Sequence, residues 1–471
     1  MAIWLALLPI VVLLALVGIA SATVGADGNA LLLAMLVAAF VAGLVAYRRG
    51  AGWEAIQAEA GLLVGEAFPV ILILLSIGGL IGSWMFSGTI PLMVALGIDL
   101  INPGFMALTA FVATAAMSVV SGTSWGSTGT IGVALIGAAE AMGLPLAPVA
   151  GAVVSGAYFG DKLSPLSDMT NIAAIGAGAE LYAHVRHMLW TSIPPALIAL
   201  AVFATAGLWS SGGQGDLDGA LRLRDALASN FELGLLPALP LIIAIIGIAM
   251  RFPAALVIVA SAVLALVIGV AVQGFEPIHA IASFVGGFDS STLLPQSAAF
   301  GERIANLLDR GGVASMAPTL VMIFAAFLLA AAMRVSGALD RLLEAMLAKV
   351  DGAFGLVAAT MAAGATMVGL TSHGGVTSLV VGGLFRPAYS QHGLAPENLS
   401  RAIEDSVTVV EPLLPWTVSG LFMATTLGVA TLDLAPWAVF CWLSPLASLA
   451  LAALYSRTGR GLKPIGPAHA D

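Results

Sequence analysis

The chain has 471 residues, of which 60% are hydrophobic and 9% charged, and its formal net charge is -9. A mean hydropathy of +1.04 excludes a soluble globule, because so few polar residues cannot cover its surface. Lys and Arg form no basic patch, so no nucleic-acid partner is expected. The single cysteine, Cys441, excludes a disulfide framework and a Cys-rich metal site.

The N-terminal stretch MAIWLALLPIVVLLALVGIAS has no positively charged leading segment and no A-x-A-like cleavage site. It is long enough to cross a bilayer, which takes about 20 apolar residues. We therefore predict a first transmembrane helix here rather than a signal peptide.

Long apolar segments continue along the chain and predict ten full spans. They are 2–21, 29–46, 67–86, 145–177 (interrupted), 188–208, 231–250, 254–273, 317–336, 398–430 (interrupted) and 436–455. Two pairs of shorter apolar segments, each joined by a polar glycine-rich tip, are interpreted as re-entrant hairpins. They are 105–120 with 127–141, and 353–369 with 375–390.

The distribution of Lys and Arg predicts the orientation, because cytoplasmic loops are enriched in these residues. With both hairpins re-entrant, twelve basic residues lie on one face, and only Arg222, Arg224, Arg303 and Arg310 lie on the other. Both termini are therefore expected in the cytoplasm, with the chain in the cell (inner) membrane. The same count results if a short pair crosses twice, so it does not establish re-entrance.

The two halves of the chain resemble each other at a spacing near 248 residues. The matches are Ser87-Gly88 with Ser336-Gly337, Thr123-Ser124 with Thr371-Ser372, Gly143-Leu144 with Gly393-Leu394, Pro165 with Pro412, and Thr170 with Thr417. Five full crossings in each half, an odd number, would place the second half upside down. We therefore expect an all-α polytopic membrane protein with two inverted-topology repeats, each with a re-entrant hairpin and a broken transmembrane helix.

These expectations divide the chain at polar segments. The first repeat is expected over 1–210, with scaffold helices in 1–104, a hairpin and broken helix in 105–187 and a closing helix in 188–210. An extracytoplasmic linker over 211–230 precedes a second repeat over 231–455. Its expected parts are a scaffold (231–352), a hairpin and broken helix (353–430) and a closing helix (436–455), and a cytoplasmic tail follows over 456–471.

The stretch SGAYFGDKLSPLSDMTN, residues 155–171, interrupts a hydrophobic span with Asp161, Lys162, Asp168 and Asn171. Pro165 is expected to break the helix there. Ionisable residues within membrane spans are costly and usually functional. Lys162 is interpreted either as a counter-ion for the adjacent aspartates or as a participant in the transport cycle.

The second half carries Glu404, Asp405 and Glu411 in RAIEDSVTVVEPLLPWT. Glu404 is as readily interpreted as a solvated residue at the cytoplasmic edge. Glu404 and Glu411 share the i, i+7 spacing of Asp161 and Asp168, which would place each pair on one face of a continuous helix.

At the tips, Thr123, Ser124, Thr371 and Ser372 offer hydroxyl groups beside glycines. Hydroxyl, carbonyl and carboxylate oxygens are hard ligands suited to Na⁺. The alternative is that these small residues only pack helices together. Trp125 is expected either to line the site or to pack.

Residues 122–126 also match the G-x-S-x-G pattern of a serine-hydrolase nucleophile elbow, with Ser124 as the nucleophile. That elbow needs a strand before the serine, and neither flank has the pattern of a strand. Among the histidines only His373 is expected to be deep, and no oxyanion-hole pattern accompanies it. We therefore expect no enzyme, and no motif implies a soluble cofactor.

The stretches SGTSWGSTGTIG and SGAYFGDKLSPLSD, followed by GLTSHGG and GLAPENLSRAIEDSVTVVEPLLPW, resemble the NhaC-type Na⁺/H⁺ antiporter family over residues 65–455. The resemblance implies two inverted repeats whose hairpins and broken helices move against a scaffold, in an elevator-like cycle. It also implies a choice of substrate, since the family includes exchangers of organic acids coupled to Na⁺ or H⁺.

We predict a Na⁺/H⁺ antiporter that exchanges cytoplasmic Na⁺ for external H⁺. The cation- and proton-binding residues are expected to be Asp161, Asp168, Thr123, Ser124, Ser164, Asn171, Thr371 and Ser372. Among these, Thr123, Ser124, Asp161 and Asp168 are the expected Na⁺ ligands. A second tier contains Lys162, Glu404, Asp405, Glu411, Trp125 and His373.

Two rivals stay open. One is a Na⁺- or H⁺-coupled exchanger of a small organic acid or amino acid, for which Lys162 and helix N-termini would hold the anion. The other is a channel, which the repeated broken helices disfavour. The expected partners are Na⁺, H⁺ and the lipid bilayer, and the sequence leaves a homodimer open.

Overall fold

The computed structural model describes residues 1–23, 28–209, 217–250, 252–294, 308–348 and 350–465. Throughout these residues the protein is helical, and it contains no β-strand. Three basic residues used to predict the orientation, Arg251, Arg303 and Lys349, lie outside the described residues. So do residue 210, the start of the expected linker (211–216) and the end of the expected tail (466–471).

The helices of the first half include both the predicted spans and the first short pair. They are Ile3–Thr23, Gly28–Arg48, Trp53–Phe86, Thr89–Leu100, Met106–Ser121, Ser124–Ser127, Val133–Ala141, Leu146–Leu163, Asp168–Ala177 and Leu181–Trp209. A 3₁₀ turn at Pro103–Phe105 precedes the fifth helix, and a π-helical turn at Thr128–Gly132 joins the sixth to the seventh.

Part of the expected linker is helical, since residues 217–230 form the helix Leu217–Asn230. The second half is therefore described from this helix onward. Its helices are Leu217–Asn230, Leu235–Ala249, Ala254–Ala271, Pro277–Gly286, Ser290–Leu293, Ala317–Val335, Ala338–Leu347, Gly352–Thr371, Gly374–Gln391, Pro396–Ile403, Val418–Leu427, Thr431–Leu434 and Val439–Thr458. Shorter turns, one π-helical and three 3₁₀, are Glu404–Thr408, Val313–Met316, Glu411–Leu413 and Ala435–Trp437.

Nine helices within the described ranges are long and apolar enough to cross a membrane. Two further helix pairs, bent by 103° at residues 231–234 and by 46° at residues 414–417, would bring the number to 11 if each pair is one span. The nine include Pro103–Ser121 and Gly352–Thr371, the first arms of the two short pairs. Re-entrance of these pairs therefore stays a prediction.

The predicted span 145–177 is not among the nine. The structure interrupts it at residues 164–167, between Leu146–Leu163 and Asp168–Ala177. Pro165 lies in this interruption, where its ring and missing N–H prevent helix continuation. Below, residues 146–177 are called the first broken helix and residues 396–427 the second broken helix.

The two short pairs of the sequence analysis are named the first hairpin (residues 106–141) and the second hairpin (residues 352–391). The first hairpin packs closely on the first broken helix, and the second hairpin packs on the second broken helix. The longest helix, Trp53–Phe86, packs on Ala254–Ala271 and Ala317–Val335. The hairpins and broken helices thus form one group of elements, and their turns meet inside it.

Candidate functional site

Close packing of the first broken helix on the first hairpin positions Asp161. A Cβ at Gly160 would lie 2.6 Å from the carbonyl oxygen of Ala115, so only glycine allows this approach. The Ser118 hydroxyl donates to the carbonyl of Ala157 at 2.6 Å and links the same two elements. Asp161 follows Gly160 directly and therefore lies beside the turn of the hairpin.

That turn, residues 122–125, is called the first tip. Gly122 adopts φ +69° and ends the first arm, and Thr123 caps the next helix by accepting from the Gly126 N–H at 3.2 Å. The Ser124 hydroxyl donates to Asp161 Oδ2 at 2.8 Å. Because Ser124 follows a helix and not a strand, the tip lacks the geometry of a nucleophile elbow.

A cavity of about 440 Å³ lies between the two broken helices, the two hairpin turns and the helix Trp53–Phe86. Eight of the predicted residues line it: Thr123, Ser124, Trp125, Asp161, Asp168, Asn171, His373 and Glu411. Asp161 is only 4% exposed. Among the described lining residues there are four carboxylates, the fourth being Glu66, and neither Lys nor Arg. The lining therefore favours cations.

Asp168 and Asn171 belong to the second part of the first broken helix. Asp168 is exposed and is the first residue of the helix Asp168–Ala177, where a negative charge is stabilised by the helix dipole. Asn171 Nδ2 donates to the carbonyls of Pro165 at 3.1 Å and Ser167 at 2.8 Å. Its amide group thus satisfies backbone acceptors that the interruption leaves free.

On the opposite side of the cavity lies the turn of the second hairpin, residues 372–375, called the second tip. His373 caps the helix Gly374–Gln391, with Nδ1 accepting from the Val376 N–H at 3.5 Å. The carboxylate of Glu411 lies against Gly374, where an added Cβ would be 2.6 Å from Oε2. Glu411 is buried and lines the cavity.

The helix ends of the two halves recur at a spacing of 250 residues. The corresponding positions are Ser121 and Thr371 (helix ends), Ser124 and Gly374 (helix starts), Leu146 and Pro396 (helix starts), Asp168 and Val418 (helix starts), and Gly178 and Gly428 (positive φ). This spacing pairs Asp161 with Glu411. The spacing near 248 was based on identical residues and not on helix ends. At the tips it therefore pairs residues that do not occupy corresponding positions.

At the spacing of 250 residues Thr123 and Ser124 correspond to His373 and Gly374, which line the cavity. Thr371 and Ser372 lie two positions earlier, and neither lines it. The Thr371 hydroxyl is hydrogen-bonded to that of Thr377 at 2.7 Å. Ser372, at φ +56°, donates to the carbonyl of Trp416 at 3.3 Å. Both hydroxyls thus stabilise the second tip.

Ser164 does not line the cavity either. Its hydroxyl donates to the carbonyl of Val119 at 3.0 Å and accepts from the Leu166 N–H at 3.3 Å. It therefore ties the interruption of the first broken helix to the first hairpin.

Lys162, Glu404 and Asp405 are fully buried beside the cavity but do not line it. Lys162 pairs with Asp405 rather than with the adjacent aspartates. Glu404 is not solvated at an edge, since its side chain is 0% exposed. The i, i+7 interpretation required continuous helices, and both helices are interrupted. Asp161 and Asp168 nevertheless both line the cavity, whereas Glu411 lines it and Glu404 does not.

Trp125 both lines the cavity and packs. Its ring stacks on Phe422 of the second broken helix, with centroids 4.1 Å apart and an interplanar angle of 16°. This contact joins the first tip to the second half of the chain.

Sequence reasoning missed five polar residues of the lining. They are Glu66, Tyr158, Ser167, Thr408 and Ser419. Glu66 had a signal, as a lone acid in the apolar stretch GLLVGEAFPV. The buried hydroxyls of Tyr158 and Thr408 have no hydrogen-bond partner of regular geometry among the described residues, and nothing in the sequence indicates this.

Comparisons with known proteins show the family of the chain. The model of the Na⁺/H⁺ antiporter family matches residues 156–454. An uncharacterized Na⁺/H⁺ antiporter of Haemophilus influenzae is 37% identical over 455 residues, covering 96% of this chain and 95% of the relative.

Two further relatives have more specific names. The malate-2H⁺/Na⁺-lactate antiporter of Bacillus subtilis is 34% identical over 430 residues, or 91% of this chain and 89% of the relative. The Na⁺/H⁺ antiporter NhaC of Alkalihalophilus pseudofirmus is 34% identical over 401 residues, or 84% of each chain. With a family match over more than half its length and such relatives, the chain belongs to the Na⁺/H⁺ antiporter family.

Proposed function

We propose that the protein exchanges cytoplasmic Na⁺ for external H⁺ and that both ions bind in the cavity between the two tips. The observation that carries the proposal is the buried pair of Asp161 and Ser124, 2.8 Å apart, in a cavity whose described lining has no Lys or Arg. A carboxylate there attracts a cation or a proton. Membership of the family supports the same exchange.

The proposed Na⁺ ligands are oxygens that converge on the cavity. Asp161, Ser124, Thr123 and Asp168 supply them on the side of the first tip, and Glu411 supplies them on the side of the second. Carboxylate and hydroxyl oxygens are hard ligands that suit Na⁺. Asn171, Trp125 and His373 shape this site, whereas Ser164, Thr371 and Ser372 stabilise the elements around it.

Exchange follows from competition for one carboxylate. A cation beside Asp161 stabilises its ionised form and displaces the proton, and a proton removes the charge that holds the cation. Each loaded site is then less costly to move through the bilayer than the empty charged one. Coupling needs only that the empty site seldom moves.

Movement is proposed to be elevator-like, with the hairpins and broken helices of two inverted repeats moving against the remaining helices. The recurrence of helix ends at a spacing of 250 residues supports two repeats, over about 1–210 and 231–455. An odd number of crossings in each half would invert one repeat relative to the other. Both termini are proposed to lie in the cytoplasm, from the distribution of Lys and Arg.

The test is a proteoliposome assay with a trapped pH indicator. Acid-loaded vesicles receive Na⁺, K⁺ or choline, with wild type compared with Asp161→Asn and with the control Asp340→Asn, which alters an exposed carboxylate. We expect alkalinisation of the lumen with Na⁺ alone, lost in Asp161→Asn and kept in Asp340→Asn. Equal Na⁺-driven flux in wild type and Asp161→Asn would contradict the assigned site.

The second candidate is exchange of a small organic acid coupled to Na⁺ or H⁺. It is favoured by the volume of the cavity, about 440 Å³, since a water molecule takes up only about 30 Å³ of liquid. It is disfavoured by the four lining carboxylates. Flux that requires malate or lactate in addition to Na⁺ would replace simple Na⁺/H⁺ exchange with this function.

A further inference from the structure

Beside the cavity, the ammonium group of Lys162 is surrounded by oxygens. It contacts Asp405 Oδ1, the Ser444 hydroxyl at 2.7 Å and the Thr191 hydroxyl at 3.4 Å. Lys162, Asp405, Ser444 and Thr191 are all 0% exposed. The Ser444 hydroxyl also donates to Asp405 Oδ1 at 2.7 Å, so these groups form one compact cluster.

Four separate elements build this oxygen cluster. Lys162 comes from the first broken helix and Asp405 from the π-helical turn of the second. Thr191 lies on the helix Leu181–Trp209 and Ser444 on Val439–Thr458. π-Helical turns are frequent at functional sites. Lys162 also directly follows Asp161, so the cluster and the proposed Na⁺ site share one helical turn.

Stability alone does not explain such a pair. Two charges buried without water lose their hydration, and a well-packed apolar pair is often equally stable. Asp405 Oδ2 has no hydrogen-bond partner of regular geometry among the described residues. The buried cluster therefore contains more oxygen ligands than the lysine uses.

We propose that Lys162 occupies a second cation site and takes the place of a second Na⁺. Carboxylate and hydroxyl oxygens are the ligands that Na⁺ prefers, and a lysine ammonium is a compact point charge that the same oxygens accept. Because the lysine cannot leave, the site never exchanges its cation. Lys162 thereby limits the Na⁺ bound in each cycle to the site at Asp161.

The inference rests on the proposed function in one respect, that the chain binds Na⁺. It predicts that removing the ammonium group opens the second site to Na⁺. The variant Lys162→Met should bind one more Na⁺ per chain than wild type. Its coupling ratio should rise by one Na⁺ per cycle.

The experiment measures equilibrium binding of radioactive Na⁺ to the purified full chain, for wild type, Lys162→Met and Lys162→Met/Asp405→Asn. We expect one additional Na⁺ in Lys162→Met only, since the double variant lacks the carboxylate. An unchanged number of bound Na⁺ in a folded Lys162→Met would overturn the proposal. Absence of Na⁺ binding in wild type would count against the proposed function instead.

Lys162→Met leaves Asp405 buried without its partner, so folding is monitored as well. We expect its melting temperature to rise with Na⁺ and not with choline, by more than that of wild type. Lys162→Gln serves as the second variant, because its shorter, uncharged side chain removes the ammonium group and its amide oxygen is a further ligand for Na⁺. It too should gain one Na⁺ in the binding assay, and no gain in this variant would also overturn the proposal.

Discussion

The two tips have similar backbones and different chemistry. Each ends one helix with a residue at positive φ and starts the next with a side-chain cap: Gly122 and Thr123 at the first, Ser372 and His373 at the second. At the first tip Asp161 receives a hydroxyl hydrogen bond from Ser124. At the second, the corresponding Glu411 faces Gly374, which has no side chain to donate. From this difference we expect the first tip to contribute more to Na⁺ binding than the second.

The largest expected effect separates the two carboxylates. Asp161→Asn should abolish exchange or raise the apparent KM for Na⁺ by about 10- to 100-fold, since it removes a buried charged partner. Glu411→Gln should raise the apparent KM less, because the hydroxyl beside Glu411 belongs to Ser419 of the second broken helix and not to the second tip. Na⁺-driven flux at varied Na⁺ checks the order. A larger defect in Glu411→Gln would reverse the roles of the two tips.

Substitutions of the positive-φ residues should change the free energy of unfolding in opposite directions at the two tips. Gly122→Ser should destabilise the protein by more than the roughly 1–2 kcal/mol cost of the left-handed conformation, because its Cβ would lie 2.7 Å from that of Leu166. Ser372→Gly should gain up to about 1 kcal/mol by relieving φ +56°. Loss of its hydrogen bond to Trp416 offsets part of the gain. Thermal unfolding in detergent measures both, and destabilisation of equal size would contradict the backbone argument.

The stack between Trp125 and Phe422 tests whether the first tip is coupled to the second broken helix. A double-mutant cycle with Trp125→Leu and Phe422→Leu should give a coupling energy of about 0.5–1.5 kcal/mol. Thermal unfolding of the four proteins supplies the values. Strict additivity would show that the contact at 4.1 Å contributes no coupling.

The smallest effect compares the helix caps. Thr123→Ala should cost about 1 kcal/mol of stability, because it removes the acceptor for the Gly126 N–H. His373→Ala should cost less, since the bond to the Val376 N–H is 3.5 Å long and such bonds are weak. An equal loss of melting temperature in both variants would mean that His373 stabilises the second tip by another contact.

Much of the fold could be predicted from the sequence. Apolar runs located the nine long helices among the described residues, although the helix Trp53–Phe86 starts well before its predicted span at 67. Glycine and proline located both hairpin turns and both interruptions. Residues 217–230, expected as linker, instead form a helix that packs on Thr89–Leu100. This helix was not predicted because its apolar residues are few and alternate with charged ones.

The sequence by itself determined which segments are apolar, where helices must break, and that Asp161 lies in an apolar span, because these depend on local composition and on the geometry of proline and glycine. Only the tertiary structure decided which polar residues meet. It paired Lys162 with Asp405, more than 240 positions away, and brought Glu66 and Tyr158 to the cavity. It also showed that Asp161 and Glu411 occupy corresponding positions in the two halves, because the helix ends recur at a spacing of 250 residues. The identity of single residues, on which the spacing near 248 was based, does not reveal this correspondence.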